Sequence, residues 1–354
     1  MRIISNLFIL FSKYLEVKRI NPWLKVGHWF LVSGIPLLGT GIMVRLILNT
    51  TSIDGNVIAL GVEITENGGY VATIIGAILT ILGVLLCLKG LVNTHNDSKK
   101  KTFYYLKGLS NQSENPPFNA LPKLAKWYPL NKVKLSLNTE EPVGMIEKLV
   151  FHLEMISDKV EQIESDEIYF AGLARVPYLF FVGYGFKNAH SSSITLLDHN
   201  HKMGKWFTLK DTDEIDIDLD IKNENEIKPT ANGNIGVAIE FTCKIPENEF
   251  PETLRGHIVR VCLNKIVSHN QITSQITLER IVDDTVQLLI RLNKKVDAIH
   301  LFISAQSTLV FSLGRRYQDG MMGTILIYNY NAEKKKYPWA FKIENKEIKL
   351  IEEI

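Results

Sequence analysis

Residues 169–200 read YFAGLARVPYLFFVGYGFKNAHSSSITLLDHN, and residues 300–331 read HLFISAQSTLVFSLGRRYQDGMMGTILIYNYN. A constant shift of 131 positions superposes the two stretches without a gap. The identical pairs include Ala174 with Ala305, Phe180 with Phe311, Gly183 with Gly314, Ile194 with Ile325 and Asn200 with Asn331. The helix-periodic run at residues 143–164 also falls over residues 274–295 at this shift. The recurrence predicts two related α/β halves.

Each stretch predicts a parallel βαβ unit, in which a strand, a turn, a helix and a second strand follow one another. The predicted strands cover residues 169–173, 194–197, 300–303 and 324–328, and the predicted helices cover residues 177–186 and 308–317. Ligands of such units lie beyond the carboxyl ends of the strands, where the free N–H groups of helix N-termini favour anions. This position corresponds to Arg175 in one half and to Ser304, Gln306 and Ser307 in the other. We therefore expect the two halves to form one composite pocket.

Two uncharged stretches lie further towards the N-terminus, at residues 26–44 and 70–88. Nineteen residues approach the length that a hydrocarbon core of about 30 Å requires. The sequence therefore predicts a membrane module at residues 1–95, with transmembrane helices at about 26–48 and 70–92. The alternatives are two buried helices of a soluble domain, or a cleaved signal peptide for the first stretch.

The basic residues that flank the two stretches predict the orientation of the module. Lysine and arginine precede the first stretch and follow the second, whereas residues 49–69 contain neither. Because such residues remain in the cytoplasm, we expect a multi-pass membrane protein with both termini cytoplasmic. Small residues recur every four positions in the second stretch, at Ala72, Gly76 and Thr80, and favour close helix packing.

The remaining sequence is predicted to form a linker and one globular region. The polar run NTHNDSKKK at residues 93–101, and four prolines between residues 116 and 129, indicate a juxtamembrane linker at residues 96–131. Residues 132–354 form the predicted globular domain, with halves at about 132–265 and 266–354.

Composition excludes several classes of protein. The 354 residues carry a formal net charge of +2, which gives no case for a protein that coats a DNA or RNA polymer. The three cysteines, Cys87, Cys243 and Cys262, are too widely spaced for a zinc cluster or a disulfide framework. No nucleophile has an obvious base partner, so the sequence predicts no enzyme, no cofactor and no metal.

The two halves together resemble a known family. IHLFISAQSTLVFSLGRRYQDGMMGTILIYNYN, and GLARVPYLFFVGYGF followed by ITLLDHNHKMGKWFTL, are similar to the SAVED domain, a fused pair of CARF-like Rossmannoid folds. With two N-terminal membrane helices, the chain looks like a transmembrane SAVED effector of a CBASS antiphage system. The implied fold is an α/β fold in which a two-helix transmembrane module precedes the SAVED domain.

The resemblance also implies a ligand and partners. SAVED domains bind cyclic oligonucleotides, here a cyclic di- or trinucleotide made by a CD-NTase-like synthase, and the other partners are membrane lipid and further copies of the chain. The expected response is oligomerisation and disruption of the inner membrane, leading to abortive infection. The expected ligand-binding residues are Arg175, Lys205, Trp206, Ser304, Gln306, Ser307, Gly314, Arg315, Arg316, Tyr317 and Tyr328.

Several alternatives remain open at this point. Arg315 and Arg316 also suit solvent-facing charges at a helix C-terminus, the 304–307 segment suits a helix cap, and Trp206 suits a core position. The whole chain is alternatively a ligand-degrading CARF-like enzyme, or a membrane-tethered adaptor that recruits a cytoplasmic partner.

Overall fold

The computed structural model describes residues 22–38, 43–49, 59–65, 69–99, 101–109, 112, 116–122, 130–162, 167–189, 194–210, 216–265 and 267–352. The chain divides into two compact units. The first comprises Met1–Ser98 with Trp127–Pro129, and the second comprises Lys99–Lys126 with Leu130–Ile354. Four of the basic residues behind the predicted orientation, Arg2, Lys13, Lys18 and Arg19, precede residue 22 and lie outside the described residues.

The first unit contains two helices with a β-hairpin between them in sequence. Helix α1 spans Pro22–Leu38, strands β1 (Met43–Asn49) and β2 (Ala59–Thr65) pair antiparallel, and α2 spans Gly69–Lys99. The predicted helix at residues 26–48 is therefore wrong in its last part. Leu38 is followed in sequence by Gly-Thr-Gly, which favours a helix end, and an apolar run such as MVRLILN suits a strand as well as a helix.

Helices α1 and α2 pack antiparallel through glycine. A Cβ added at Gly34 would lie 2.6 Å from the Thr80 Oγ1 atom, and one added at Gly76 would lie 2.7 Å from the Leu37 Cβ. Gly76 and Thr80 of the predicted packing face therefore contact the first helix of the same chain. The side chain of Ala72 lies outside the described residues.

The large apolar side chains of this helix pair point away from the packing face. The exposed ones include Trp29, Val32, Ile35, Ile74, Ile78, Ile81, Leu85 and Leu88. Small residues inside and bulky aliphatic residues outside are typical of helices that pack in a bilayer. Among the described residues, one helical segment, Thr73–Asn93, is long and apolar enough to cross a membrane.

The second unit begins with a five-stranded sheet. Its strands are β3 (Lys101–Lys107), β4 (Asn131–Ser136), β5 (Glu167–Leu173), β6 (Ile194–Asn200) and β7 (Lys205–Thr208), in the order β4-β3-β5-β6-β7. The first four are parallel, and β7 is antiparallel to β6. Helices α3 (Pro142–Gln162) and α4 (Val176–Gly185) belong to this half.

The predicted linker at residues 96–131 is wrong over β3. The segment KTFYYLK is a buried strand between β4 and β5, so the domain starts before residue 132. Its flanking lysines and the prolines that follow indicate a linker, while the residues that pair with it in β4 and β5 lie 29 and 66 positions further along the chain.

The second sheet has seven strands. They are β8 (Leu219–Lys222), β9 (Asn234–Glu240), β10 (Ile258–Leu263), β11 (Ala298–Ser304), β12 (Thr324–Asn331), β13 (Lys336–Glu344) and β14 (Glu347–Glu352), in the order β14-β13-β12-β11-β9-β10-β8. Helices α5 (Gln275–Asn293) and α6 (Ser307–Arg315) belong to this half. The predicted boundary at residue 265 is wrong, because β8 to β10 join the second sheet through the pairing of β9 with β11.

The two halves share one hydrophobic core through their central helices. Strands β5 and β11 begin and end at positions 131 residues apart, as the sequence repeat requires. Helices α4 and α6 pack against each other, and the Phe311 ring of α6 stacks on the Phe170 ring of β5 at 3.9 Å between centroids. Each central helix also packs on the sheet of the opposite half.

The closest approach of α4 and α6 is made by the paired glycines of the repeat. A Cβ on Gly183 would lie 2.0 Å from the Phe311 carbonyl oxygen, and a Cβ on Gly314 would lie 1.8 Å from the Phe180 carbonyl oxygen. These positions correspond to one another at the 131-residue shift, so the contact is pseudo-twofold symmetric. The glycines let the two helix backbones touch.

Candidate ligand-binding site

The predicted site residues fall at the two ends of the central helices. Helix α6 has nine residues and is about 14 Å long, because each residue adds about 1.5 Å. Its start and the neighbouring strand ends form what we call the strand-end site, which contains Arg175, Lys205, Trp206, Ser304, Gln306 and Ser307. The helix-end cavity contains Arg315, Arg316 and Tyr317. The predicted site residues therefore divide between the two ends of α6.

Asp198 of β6 occupies the start of α6. The buried Asp198 carboxylate accepts a 2.6 Å hydrogen bond from the Gln306 Nε2 atom and a 3.0 Å bond from the Ser307 Oγ atom. Gln306 also pairs with the backbone of Ile272 on both sides of its amide, at 2.8 and 3.0 Å. Gln306 and Ser307 therefore join the two halves, and a carboxylate already faces the positive end of this helix.

The start of α4 differs in charge from the start of α6. Arg175 is the N-cap residue of α4, and its side chain makes no capping hydrogen bond. Its guanidinium is 39% exposed and lies 3.7 Å from the Glu140 carboxylate. The position that corresponds to Asp198 at the 131-residue shift is Asn329, a neutral residue on β12, and α4 packs on β12. At the start of α4 the residue that corresponds to Asp198 is therefore neutral, whereas a carboxylate faces the start of α6.

Ser304, at the end of β11, is held by the loop that follows β9. Its hydroxyl lies 2.9 Å from the Thr242 hydroxyl and accepts a 3.0 Å hydrogen bond from the Cys243 N–H group. Its carbonyl oxygen accepts the N–H groups of Phe241 and Thr242 at 2.9 Å. Ser304 therefore fixes the loop between β9 and β10 at the edge of the second sheet.

An aromatic cluster lies where β6 ends and β7 begins. The half-buried Trp206 ring is 5.2 Å from the His199 ring and 6.4 Å from the Tyr105 ring, between centroids. Burial lowers the pKa of His199, so its ring stays neutral at physiological pH. Lys205, the neighbour of Trp206, is exposed. The cluster offers an aromatic surface beside an exposed cation.

Two cations at this edge were not among the predicted site residues. Lys244 follows β9 and Lys265 follows β10, and both are exposed. Because β9, β10 and β11 are parallel, these lysines lie at the same edge of the second sheet as Ser304. The strand assignments of residues 234–240 and 258–263 were the signal that would have found them.

The helix-end cavity has a volume of about 700 Å³. It is lined by Lys187, Asn188, Glu279, Arg315, Arg316, Tyr317, Gln318, Asp319 and Lys346. The Tyr317 hydroxyl donates a 2.7 Å hydrogen bond to the Gly323 carbonyl.

Two of the predicted ligand-binding residues have packing positions. Gly314 lies at the crossing of α4 and α6. Tyr328 is 1% exposed, and its hydroxyl lies 2.7 Å from the Nδ1 atom of the buried His300.

Comparison with known proteins decides the family. The SAVED family, described as the SMODS-associated and fused to various effectors sensor domain, matches residues 153–343, which is more than half of the chain. The chain belongs to the SAVED family. The matched residues begin in α3 and end in β13, so this SAVED domain extends beyond the match to β3 and β4, which complete its first sheet.

Solved structures of SAVED proteins are similar to this chain. The Acinetobacter baumannii Cap4 SAVED/CARF-domain containing receptor with the cyclic trinucleotide 3'3'3'-cAAA is 13% identical, with 75% of this chain and 58% of that chain covered and a TM-score of 0.48. The Moraxella osloensis Cap4 receptor is 12% identical, with 82% and 61% covered and a TM-score of 0.42. This SAVED protein thus spans about three fifths of the length of those chains. No curated protein matches it significantly.

Proposed function

We propose that this SAVED protein is a membrane-anchored receptor that binds a cyclic di- or trinucleotide at the strand-end site and acts in CBASS antiphage defence. The observation that carries the proposal is the sensor domain, whose fused halves bring the starts of α4 and α6 to one edge. Asp198 faces the start of α6, whereas the residue that corresponds to it in the other half is the neutral Asn329.

The strand-end site has the chemistry that a cyclic oligonucleotide requires. Its phosphodiesters need cationic and N–H donors, which Arg175, Lys205 and the start of α4 supply. Its bases need flat apolar surfaces, and the half-buried Trp206 ring provides one. Lys244 and Lys265 extend the positive charge along the second sheet.

Replacing Arg175 tests the location of the site. We expect Arg175→Ala to weaken binding of the cognate ring about tenfold or more, because a charge-assisted hydrogen bond contributes roughly 1.5–3 kcal/mol. The measurement is calorimetric titration of the full chain in detergent with a panel of cyclic di- and trinucleotides, beginning with 3'3'3'-cAAA. The matched control is Arg291→Ala, which removes a surface arginine that pairs with Glu224 at 2.9 Å. Equal affinity of both variants and the wild type would move the site away from α4.

The first unit supports a membrane-embedded role for this receptor. We propose that α1 and α2 both cross the bacterial inner membrane with the termini cytoplasmic, and that ligand binding drives self-association and membrane disruption. The support is the glycine-packed helix pair with bulky apolar residues on its outer face. Lipid is the solvent in which such a surface carries no free-energy cost.

Disrupting the helix pair tests this part of the proposal. We expect Gly76→Leu to reduce ligand-dependent dye leakage from liposomes severalfold while ring binding is retained, because the new side chain would overlap Leu37 and the Gly34 carbonyl. Ser33→Leu places the same side chain on the exposed face of α1 and serves as the control. Leakage that is the same for both variants, or that does not depend on ligand, would contradict the mechanism.

We further propose that the receptor binds its ligand without degrading it. The support is the sequence, in which no nucleophile has an obvious base partner. Chromatography of the ring after prolonged mixing with the protein checks this, and the appearance of a linear product would favour the ligand-degrading enzyme instead.

A further inference from the structure

The helix-end cavity contains a cation that forms no ion pair with any described carboxylate. Arg315, in the last turn of α6, is half-buried, and it makes no hydrogen bond or ion pair with any described residue. Its neighbour Arg316 is exposed and pairs with Asp283 at 3.4 Å. A guanidinium at a helix C-terminus gains from the helix dipole, but an unpaired guanidinium loses solvation when it is half-buried.

The other charges of the cavity do not remove this imbalance. Lys187 forms an ion pair with Asp319, whose carboxylate also accepts a 3.1 Å hydrogen bond from the Tyr184 hydroxyl. Asp319 is therefore already shared between two donors. Glu279 favours the charged form of Arg315, yet the pKa of Arg315 is lowered because burial and the adjacent Arg316 act against that form. The surroundings thus disfavour the charge that the side chain must carry.

The cavity is large and its lining is positive. Lys187, Arg315, Arg316 and Lys346 face Glu279 and Asp319 across a volume of about 700 Å³. A second cavity of about 520 Å³ shares Tyr317, Asp319 and Lys346 with it and extends the cleft towards the β13–β14 turn. Such a cleft has room for several phosphate oxygens with their substituent.

We propose that the helix-end cavity binds a phosphate-bearing anion, separately from the ring ligand of the strand-end site. Arg315 provides planar donors to the phosphate, and Lys346 and Arg316 add charge from the rim. The anion is either a free phosphate compound or a phosphomonoester lipid headgroup, because both carry the same chemical group.

Titration of the full chain in neutral detergent with inorganic phosphate tests the proposal. At constant ionic strength, phosphate should raise the melting temperature of the wild type more than chloride does. Arg315→Gln should weaken the apparent affinity for phosphate about tenfold. Lys349→Gln, which removes a lysine paired with Glu347 outside the cavity, is the matched control. Equal phosphate responses of wild type and Arg315→Gln would overturn the proposal.

A variant with the opposite expected sign separates binding from a structural effect. Asp319→Asn removes a negative charge from the cavity and releases Lys187, so it should tighten phosphate binding severalfold even if the variant melts earlier. Weaker phosphate binding by this variant would contradict the site.

Two further arms identify the source of the anion and its independence from the ring. If the ligand is a lipid headgroup, inorganic phosphate should cause no additional rise of the melting temperature in nanodiscs that contain phosphatidic acid. If the ligand is a soluble phosphate compound, the rise caused by inorganic phosphate should remain. Saturating cyclic trinucleotide should leave the phosphate response unchanged. Competition between the ring and phosphate would show that the cavity is not a separate site. If the protein does not bind the ring but still responds to phosphate, the proposed function fails and the phosphate site stands.

Discussion

Gly183→Ala and Gly314→Ala should each lower the free energy of unfolding of the second unit by about 3 kcal/mol or more. The added methyl group would lie 2.0 or 1.8 Å from a backbone carbonyl oxygen of the other central helix. A backbone cannot rotate away as a side chain can, so α4 and α6 would have to separate. Both helices also pack on the opposite sheets, so the displacement would spread through the common core.

Chemical unfolding followed by circular dichroism measures this effect. Gly144→Ala is a suitable control, because the three atoms nearest to the new methyl group in α3 would all belong to the Thr139 side chain, at 3.1 to 3.5 Å, and not to a backbone. Alanine also has the higher helix propensity, so this control should be neutral or stabilising. If both central variants unfold at the same denaturant concentration as Gly144→Ala, the close helix contact is wrong.

Acid should destabilise the second unit before its carboxylates are protonated. His152 and His300 are 2% and 8% exposed, and burial lowers the pKa of each from 6.5 to about 4. An unfolded histidine binds a proton near pH 6.5, whereas the folded residue does so only near pH 4. Stability is therefore complete above pH 6.5 and falls as the pH decreases through this interval. The full loss is about 3 kcal/mol for each histidine, at about 1.4 kcal/mol for each pH unit.

The hydrogen-bonded partners of the histidines provide the test. The His152 Nδ1 atom lies 2.6 Å from the hydroxyl of the buried Tyr178. The double variant His152→Phe with Tyr178→Phe removes both polar groups at similar volume, so its unfolding free energy should lose about half as much as the wild type between pH 6.5 and 4.5. An unchanged slope in that interval would show that His152 is not the titrating group.

The sequence repeat predicts the core of the second unit, since periodic apolar residues at a constant shift specify strands and helices locally. The linker prediction failed at β3 because nothing within KTFYYLK shows that its partner strands lie far along the chain. The half boundary failed for the same reason, since β9 pairs with β11 across a long intervening helix. Long-range pairing is not encoded in the pattern of any single segment.

The sequence predicted the kinds of residue in the candidate site better than it predicted how they are arranged. Arginine, serine and glutamine next to helix starts indicate a polar ligand, but the sequence does not show that Asp198 engages Gln306 and Ser307. Equally, GRRY is continuous with the start of α6 in sequence, while the length of that helix places Arg315 in a different cavity. Residues at the two ends of α6 are close in sequence, but the length of the helix places them in different sites.

Asp198 and Asn329 make the two halves of the domain unlike at corresponding positions, and this difference affects the orientation of a ring ligand. A perfectly twofold site would bind a cyclic trinucleotide in two equivalent orientations, because a ring of three nucleotides has no twofold axis to match that of the site. One negative and one neutral residue at corresponding positions remove that equivalence. The two halves of the domain therefore differ at this position, and under the proposed function we expect an asymmetric ring with one unlike linkage to bind in a single orientation.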